Sequence, residues 1–151
     1  MIDVRAVAWD DPAGERLRTA QQAEVSARYG VDDSEPGPKP TATDMTLFLV
    51  AYDGDEPVGC GGLRRLDGVH GEVKRMYVVP DRRGSGVSSA VLRRLEEEAR
   101  ALGWERLVLE TGTEQPDAMR FYEREGFSRI PAFGYYADSA HSRCYAKALA
   151  E

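Results

Sequence analysis

A chain of 151 residues with 42% hydrophobic and 30% charged residues is long enough to bury a sizeable core without disulfide or metal staples. Its net charge of −6 argues against a general nucleic-acid surface, where clustered Lys and Arg are needed to meet phosphates. No apolar run approaches the roughly 18 residues that span a bilayer, so no membrane partner is expected. The start, Met1-Ile2-Asp3-Val4-Arg5, lacks signal-peptide architecture, and the expected location is cytoplasmic.

In chain order, Asp3 to Ala8 alternates and is rich in Val, predicting a first strand. Asp10-Asp11-Pro12 supplies a cap and a first-turn proline for a helix that carries Leu17, Ala20, Gln21, Glu24, Val25 and Arg28 and ends at Gly30. Val31 to Asp44, with three prolines, is expected to be a loop. A three-strand meander follows. Thr46–Tyr52 turns at Asp53-Gly54 into Val58–Leu66, which turns at Asp67-Gly68 into Glu72–Val79. Gly59, Gly61 and Gly62 mark close backbone approach in the second of these strands.

Pro80 and the turn Arg83-Gly84-Ser85-Gly86-Val87-Ser88 lead into an amphipathic helix with Val87, Val91, Leu95, Ala99 and Leu102, closed by Gly103. Arg106–Glu110 reads as a short buried strand. The intervening helix makes it parallel to Glu72–Val79 through a right-handed crossover. Gln115-Pro116-Asp117 opens a last helix, stopped by Gly126. Two short strands, near Phe127–Ile130 and Arg143–Ala148, complete a single expected domain over 1–151. Cys60 and Cys144 fall in strand-like runs and read as reduced core thiols. His70 and His141 are too few and too scattered for a metal site, and His70 reads as decorating a hairpin turn.

The stretch from Glu72 to Leu102 organises the rest. A glycine-rich turn between a buried strand and a helix start presents unpaired backbone N–H groups, which is an anion-binding arrangement. Gly84 and Gly86 allow close backbone approach, and Arg82 and Arg83 supply charge. A Walker loop needs a lysine that is absent here. A dinucleotide fingerprint needs a third glycine where Ser89 stands.

The segment Val78 to Leu92 resembles the acetyl-CoA signature of the GNAT superfamily of N-acetyltransferases, with Arg83, Gly86 and Ser88 in its key positions. Ser88 departs from the Gly or Ala usual in that slot. Leu109-Glu110-Thr111-Gly112 followed by Ala118, Tyr122, Gly126 and Phe127 resembles the second half of the same family. The resemblance implies an α+β fold with a mixed, mostly antiparallel twisted sheet of six to seven strands. About four helices would flank it, and the strands near 72–79 and 106–111 would form a splayed parallel pair. It also implies acetyl-CoA as co-substrate and transfer to an amine, with no metal. Many members of the family dimerise.

Carried onto this chain, the resemblance makes Met76, Tyr77, Val78, Arg82, Arg83, Gly84, Ser85, Gly86, Val87, Ser88 and Gln115 the expected CoA-binding residues. Tyr122 is the expected general acid toward the thiolate, its phenol protonated at neutral pH with a reference pKa of about 10. Glu72 is the candidate general base. Glu110 is a second candidate or an anchor for the acceptor, and a dedicated base can be absent altogether. The acceptor site is expected between Leu17–Tyr29, Val31–Asp44 and Ala132–His141, which offer Asp32, Asp33, Glu35, Tyr135, Tyr136 and Asp138 to a cationic or aromatic amine. No cysteine is placed for an acyl-enzyme, so direct transfer in a ternary complex is expected. Another acyl-CoA donor, or a CoA-binding module without turnover, are the competing readings.

Overall fold

The computed structural model describes residues 1–30 and 38–149. In chain order it contains β1 (Ile2–Ala6), α1 (Pro12–Tyr29), β2 (Met45–Asp53), β3 (Glu56–Arg65), β4 (His70–Val78), α2 (Val87–Ala101), β5 (Arg106–Gly112), α3 (Pro116–Arg124), β6 (Ser128–Ile130) and β7 (Ser142–Ala148). Short 3-10 turns lie at Pro80–Arg82 and Gly134–Tyr136. The seven strands form one sheet in the order β1-β2-β3-β4-β5-β7-β6, antiparallel throughout except between β4 and β5. Three α-helices stand among the described residues, against about four expected. Asp32, Asp33 and Glu35 lie outside the described residues.

Local chemistry accounts for the element ends. The Asp11 carboxylate accepts from the Gly14 N–H at 3.1 Å and Pro12 opens α1, while Gly30 closes it with φ 71°. α2 buries Val87, Val91, Leu92, Leu95 and Ala99 on β3 and its neighbours. The helix lies so close that a Cβ on Gly59 would stand 2.7 Å from Val87 Cγ1, and one on Gly61 2.9 Å from Val91 Cγ1. His70 opens β4 instead of sitting in the preceding turn. Its ring is tied to Asp67, whose other carboxylate oxygen accepts from the Val69 and His70 N–H groups.

Two departures from a regular sheet create the site. First, β4 and β5 pair only over His70–Glu72 and Arg106–Val108, after which they part. Second, Cys60 faces Tyr77 and Gly62 faces Lys74, so two β4 residues, Arg75 and Met76, oppose the single Gly61. This is a β-bulge, and Arg75 occupies it at φ 61°, a left-handed conformation that costs a non-glycine residue roughly 1–2 kcal/mol. The bulge exchanges the strand's two faces. Val73 and Val78, five residues apart, both pack in the α2-side core, while Tyr77 joins Leu17, Phe48, Val50 and Cys60 under α1. In an unbroken strand Val73 and Val78 would point to opposite sides.

Candidate active site

A cleft of about 490 Å³ opens where β4 leaves β5, between α1, the turn after β4, the start of α2, and α3. Met76, Tyr77, Val78, Arg82, Arg83, Gly84, Gly86, Val87, Ser88 and Gln115, all expected to bind CoA, line it together with Tyr122, the expected general acid. The α2 ladder begins where the Ala90 N–H donates to the Gly86 C=O at 3.1 Å. The Val87, Ser88 and Ser89 N–H groups therefore have no acceptor within the helix, and among the described residues no side chain caps them. Gly84 and Gly86 hold φ 79° and 93°, conformations that a side chain would strain. Ser88 sits as the second residue of α2 with ordinary helical geometry, so its Cβ needs no glycine-like allowance.

Among the described residues the lining carries Arg28, Arg82, Arg83, Arg120 and Arg124 against Glu24 and Asp117, in a chain of net charge −6. That concentration of cations at a helix N-terminus suits a polyanion such as the phosphates of CoA. Several of these arginines are already engaged. Arg83 Nη2 meets Glu24 on α1 at 2.7 Å and its Nε donates to the Val78 C=O at 2.9 Å. Arg82 pairs with Glu56 at 2.7 Å and Asp53 at 3.5 Å, and Arg120 pairs with Asp117.

The free edge of β4 faces the cleft. The Val79 N–H donates to the Val58 C=O, and the alternation of an antiparallel ladder turns the Val78 N–H and C=O the other way. Gln21 Nε2 donates to the Met76 C=O at 2.8 Å, while its Oε1 is buried without a hydrogen-bond partner among the described residues. Tyr122 is buried at 7% exposure, held edge-on between Phe121 and Phe127 with centroid distances of 5.1 and 5.7 Å. Burial pushes its phenol above the ordinary value, which keeps the proton on the oxygen.

A smaller chamber of about 140 Å³ adjoins the cleft, and Gln21, Met76, Gln115, Ala118 and Tyr122 belong to both. Lys74, Arg75, Glu110, Tyr29 and His141 are among its further walls. The Ser142 hydroxyl donates to Glu110 Oε2 at 2.7 Å, orienting that carboxylate. Tyr29 and His141 form an edge-on pair 5.9 Å apart.

Five expected site residues that the structure describes stand outside both cavities, the exposed Asp138 among them. Ser85 turns its hydroxyl back to the Arg82 C=O and closes the turn. Tyr135 is 67% exposed. Glu72, read as a candidate base, is 1% exposed, with Oε1 accepting from Arg64 Nη2 at 3.0 Å and Oε2 from the Tyr136 hydroxyl at 2.6 Å. Tyr136 is buried in the same network and accepts from Lys74 Nζ at 3.0 Å. Burial pulls the Arg64 guanidinium down, but Glu72 outweighs it and holds the group above its ordinary value. Gln21, Glu24 and Arg28 on α1, Lys74 and Arg75 on β4, and Arg120 and Arg124 on α3 were not singled out from the sequence. Their only signal was that α1 and the end of β4 would wall the site.

A mixed sheet split between its two parallel strands, with an anion-binding helix start and a protonated phenol at the split, is the architecture of an acyl-CoA-dependent acyltransferase. Comparison with known proteins narrows the class. Residues 13–127 match the Acetyltransferase (GNAT) family, and the chain belongs to it. Among curated relatives, an uncharacterized N-acetyltransferase of Bacillus subtilis, YsnE, is 39% identical over 104 residues, 68% of this chain and 69% of that one. An IAA acetyltransferase of Azospirillum brasilense is 43% identical over 90 residues, 59% of each chain. A solved structure described as an acyl-CoA N-acyltransferase of Klebsiella pneumoniae superposes with a TM-score of 0.84 at 29% identity, covering 99% of this chain and 98% of that one. The protein is thus an N-acetyltransferase of the EC 2.3.1 class. Among the described residues no helix is long and apolar enough to cross a membrane.

Proposed function

We propose that the protein moves the acetyl group of acetyl-CoA onto a primary amine of a small molecule, by direct transfer in a ternary complex. The observation that carries this reading is the junction of the two cavities at Met76, Gln115, Ala118 and Tyr122. One cavity has the donors and arginines for a diphosphate, and the other is sized for an acceptor. The uncapped α2 start and Arg82 and Arg83 would hold the CoA phosphates, and the β4 edge at Met76–Val78 would hold the pantetheine and polarise the thioester oxygen. The acceptor nitrogen attacks the acetyl carbon, the C–S bond breaks, and Tyr122 gives its proton to the departing sulfur. Glu110, which lines the chamber, is better placed than Glu72 to take the proton lost by the amine, directly or through water. Glu72 acts instead as a buried strut joining β4 to Arg64 on β3 and to Tyr136.

Acetyl-CoA at about 100 times its Kd should stabilise the fold by about 2.7 kcal/mol, raising Tm by roughly 5–11 °C. No rise at saturating ligand refutes the donor site. A thiol-release assay across amino acids, polyamines, aminoglycosides and peptides then tests turnover. Release with none of these amines, despite binding, would refute amine transfer and leave a CoA-binding module.

A further inference from the structure

Gln21 stands where α1 passes over the break in the sheet. It lies one turn after the buried Leu17 on the same helix face, a position that an apolar side chain would ordinarily fill. In the β4 bulge Met76 has no β3 residue to itself, and its C=O is met from α1 by Gln21 Nε2 at 2.8 Å. A carbonyl can only accept, so the amide nitrogen must face it, and the amide oxygen is the atom left over. That Oε1 is buried without a hydrogen-bond partner among the described residues. A buried acceptor left unpaired destabilises a fold and calls for an explanation. Gln21 borders both the donor cleft and the acceptor chamber, as Met76 and Tyr122 do, so the orphaned oxygen belongs to a side chain at their crossing.

An orphaned acceptor asks for a donor on the ligand. The reacting end of acetyl-CoA is a methyl, a carbonyl and a sulfur, and none of these offers an N–H. The amine that attacks it does. We infer that Gln21 binds the acceptor and selects primary amines: its Oε1 accepts an N–H of the attacking nitrogen while its Nε2 stays anchored on the Met76 C=O. As the N–C bond forms and the C–S bond breaks, one amine proton leaves for a base or water and Tyr122 protonates the sulfur. The other amine proton stays on nitrogen, held by Gln21, and becomes the N–H of the product amide. Gln21 itself takes no proton. Its hydrogen bond strengthens as positive charge gathers on the attacking nitrogen. A neutral secondary amine has a single N–H, and once that proton leaves, Oε1 is orphaned again. The inference rests on the acetyl-transfer reading for the reaction but not for the binding of the amine.

The test sets primary amines against their N-methyl counterparts: β-alanine with N-methyl-β-alanine, phenethylamine with N-methylphenethylamine, and putrescine with N,N′-dimethylputrescine. Thiol release at saturating acetyl-CoA gives kcat/KM for each, and calorimetry gives the binding of each primary amine to the protein–CoA complex. The wild type should favour at least one primary amine by about tenfold to 100-fold, the range of one charge-assisted hydrogen bond. Gln21→Met keeps the length of the side chain and removes its amide, and it should lower that ratio by about tenfold with acetyl-CoA affinity nearly unchanged. Loss of the brace on the Met76 C=O alone would slow both members of a pair alike, so the ratio isolates the contact with the amine. Equal use of both members of every pair by the wild type overturns the inference, as does an unchanged ratio in the folded variant. Weaker acetyl-CoA binding with an unchanged ratio would assign Gln21 to a pantetheine amide and overturns it too. Should Gln21→Met not fold, Gln21→Asn, a methylene shorter, withdraws the oxygen and is read in the same way. If acetyl-CoA binds but no amine turns over, the acetyl-transfer reading fails and binding alone decides the inference. A primary amine must then bind the wild-type CoA complex about tenfold more tightly than the variant's, and equal or absent binding overturns it.

Discussion

Replacing Glu72 with Gln separates a strut from a base. The side chain keeps its shape but loses its charge, at 1% exposure, between Arg64 at 3.0 Å, the Tyr136 hydroxyl at 2.6 Å and Lys74 at 3.7 Å. Each charge-assisted hydrogen bond contributes about 1.5–3 kcal/mol, and breaking a buried ion pair costs about 3–5 kcal/mol. The Gln amide retains one acceptor for Arg64, and Asp44 at 3.5 Å offers that guanidinium a second, weaker partner. A loss of about 3 kcal/mol is therefore expected, a fall in Tm of roughly 6–12 °C for a domain of this size. Calorimetry reads the melting, and thiol release across pH reads the rate. The acidic limb of the pH–rate profile should keep its shape, because Glu72 faces neither cavity. An unchanged Tm with a flattened acidic limb would refute the reasoning and restore Glu72 as the base.

Tyr122→Phe removes a proton donor but little packing, so kcat should fall more than tenfold while acetyl-CoA affinity, read by calorimetry, stays nearly the same; an unchanged kcat would reduce Tyr122 to core packing. Glu24→Gln releases Arg83 from its 2.7 Å pair on α1, and CoA should then bind several-fold more tightly, a gain that 1 M salt erases. Weaker binding would mean that Glu24 presents Arg83 to the ligand instead of competing for it. Burial pushes the Cys60 thiol up to about 12 from 9.0 and raises Cys144 as well, so Ellman's reagent at pH 8 should find no reactive thiol in the native protein and two after denaturation. Because the folded thiol of Cys60 titrates above the unfolded one, its contribution to stability is complete below pH 9 and is lost as pH climbs toward about 12.

Much of the fold was legible because strong local signals agreed with one another. Asp11 and Pro12 opened α1 as expected, Gly30 closed it, and the turn at Gly84 and Gly86 fell between a buried strand and a helix start. The bulge in β4 was not legible. Arginine at position 75 carries none of the Gly or Asn bias that announces a left-handed residue, so Glu72–Val79 reads as one even strand. The surroundings of Glu72 were not legible for a related reason. A carboxylate at a strand end looks solvated until the partners across the sheet are known, and Arg64 and Tyr136 are 8 and 64 residues away in the chain. The arginines of α3 and the Gln21, Glu24 and Arg28 face of α1 were hidden likewise, since a charged helix face gives no sign of whether it meets water or a cleft.

β4 holds one residue more than β3 can match, and that surplus behaves like a frameshift in three dimensions. Everything before it is sorted to one pair of faces and everything after it to the other. Removing a single residue between Lys74 and Tyr77 would even out the ladder and leave Tyr77 under α1 and Val78 under α2, whereas straightening the strand with every residue kept would exchange the two. Glycine at 75 would relax the backbone. The bulge thus absorbs the surplus residue, and the faces before and after it stay matched to α1 and α2 although Val73 and Val78 are an odd number of positions apart.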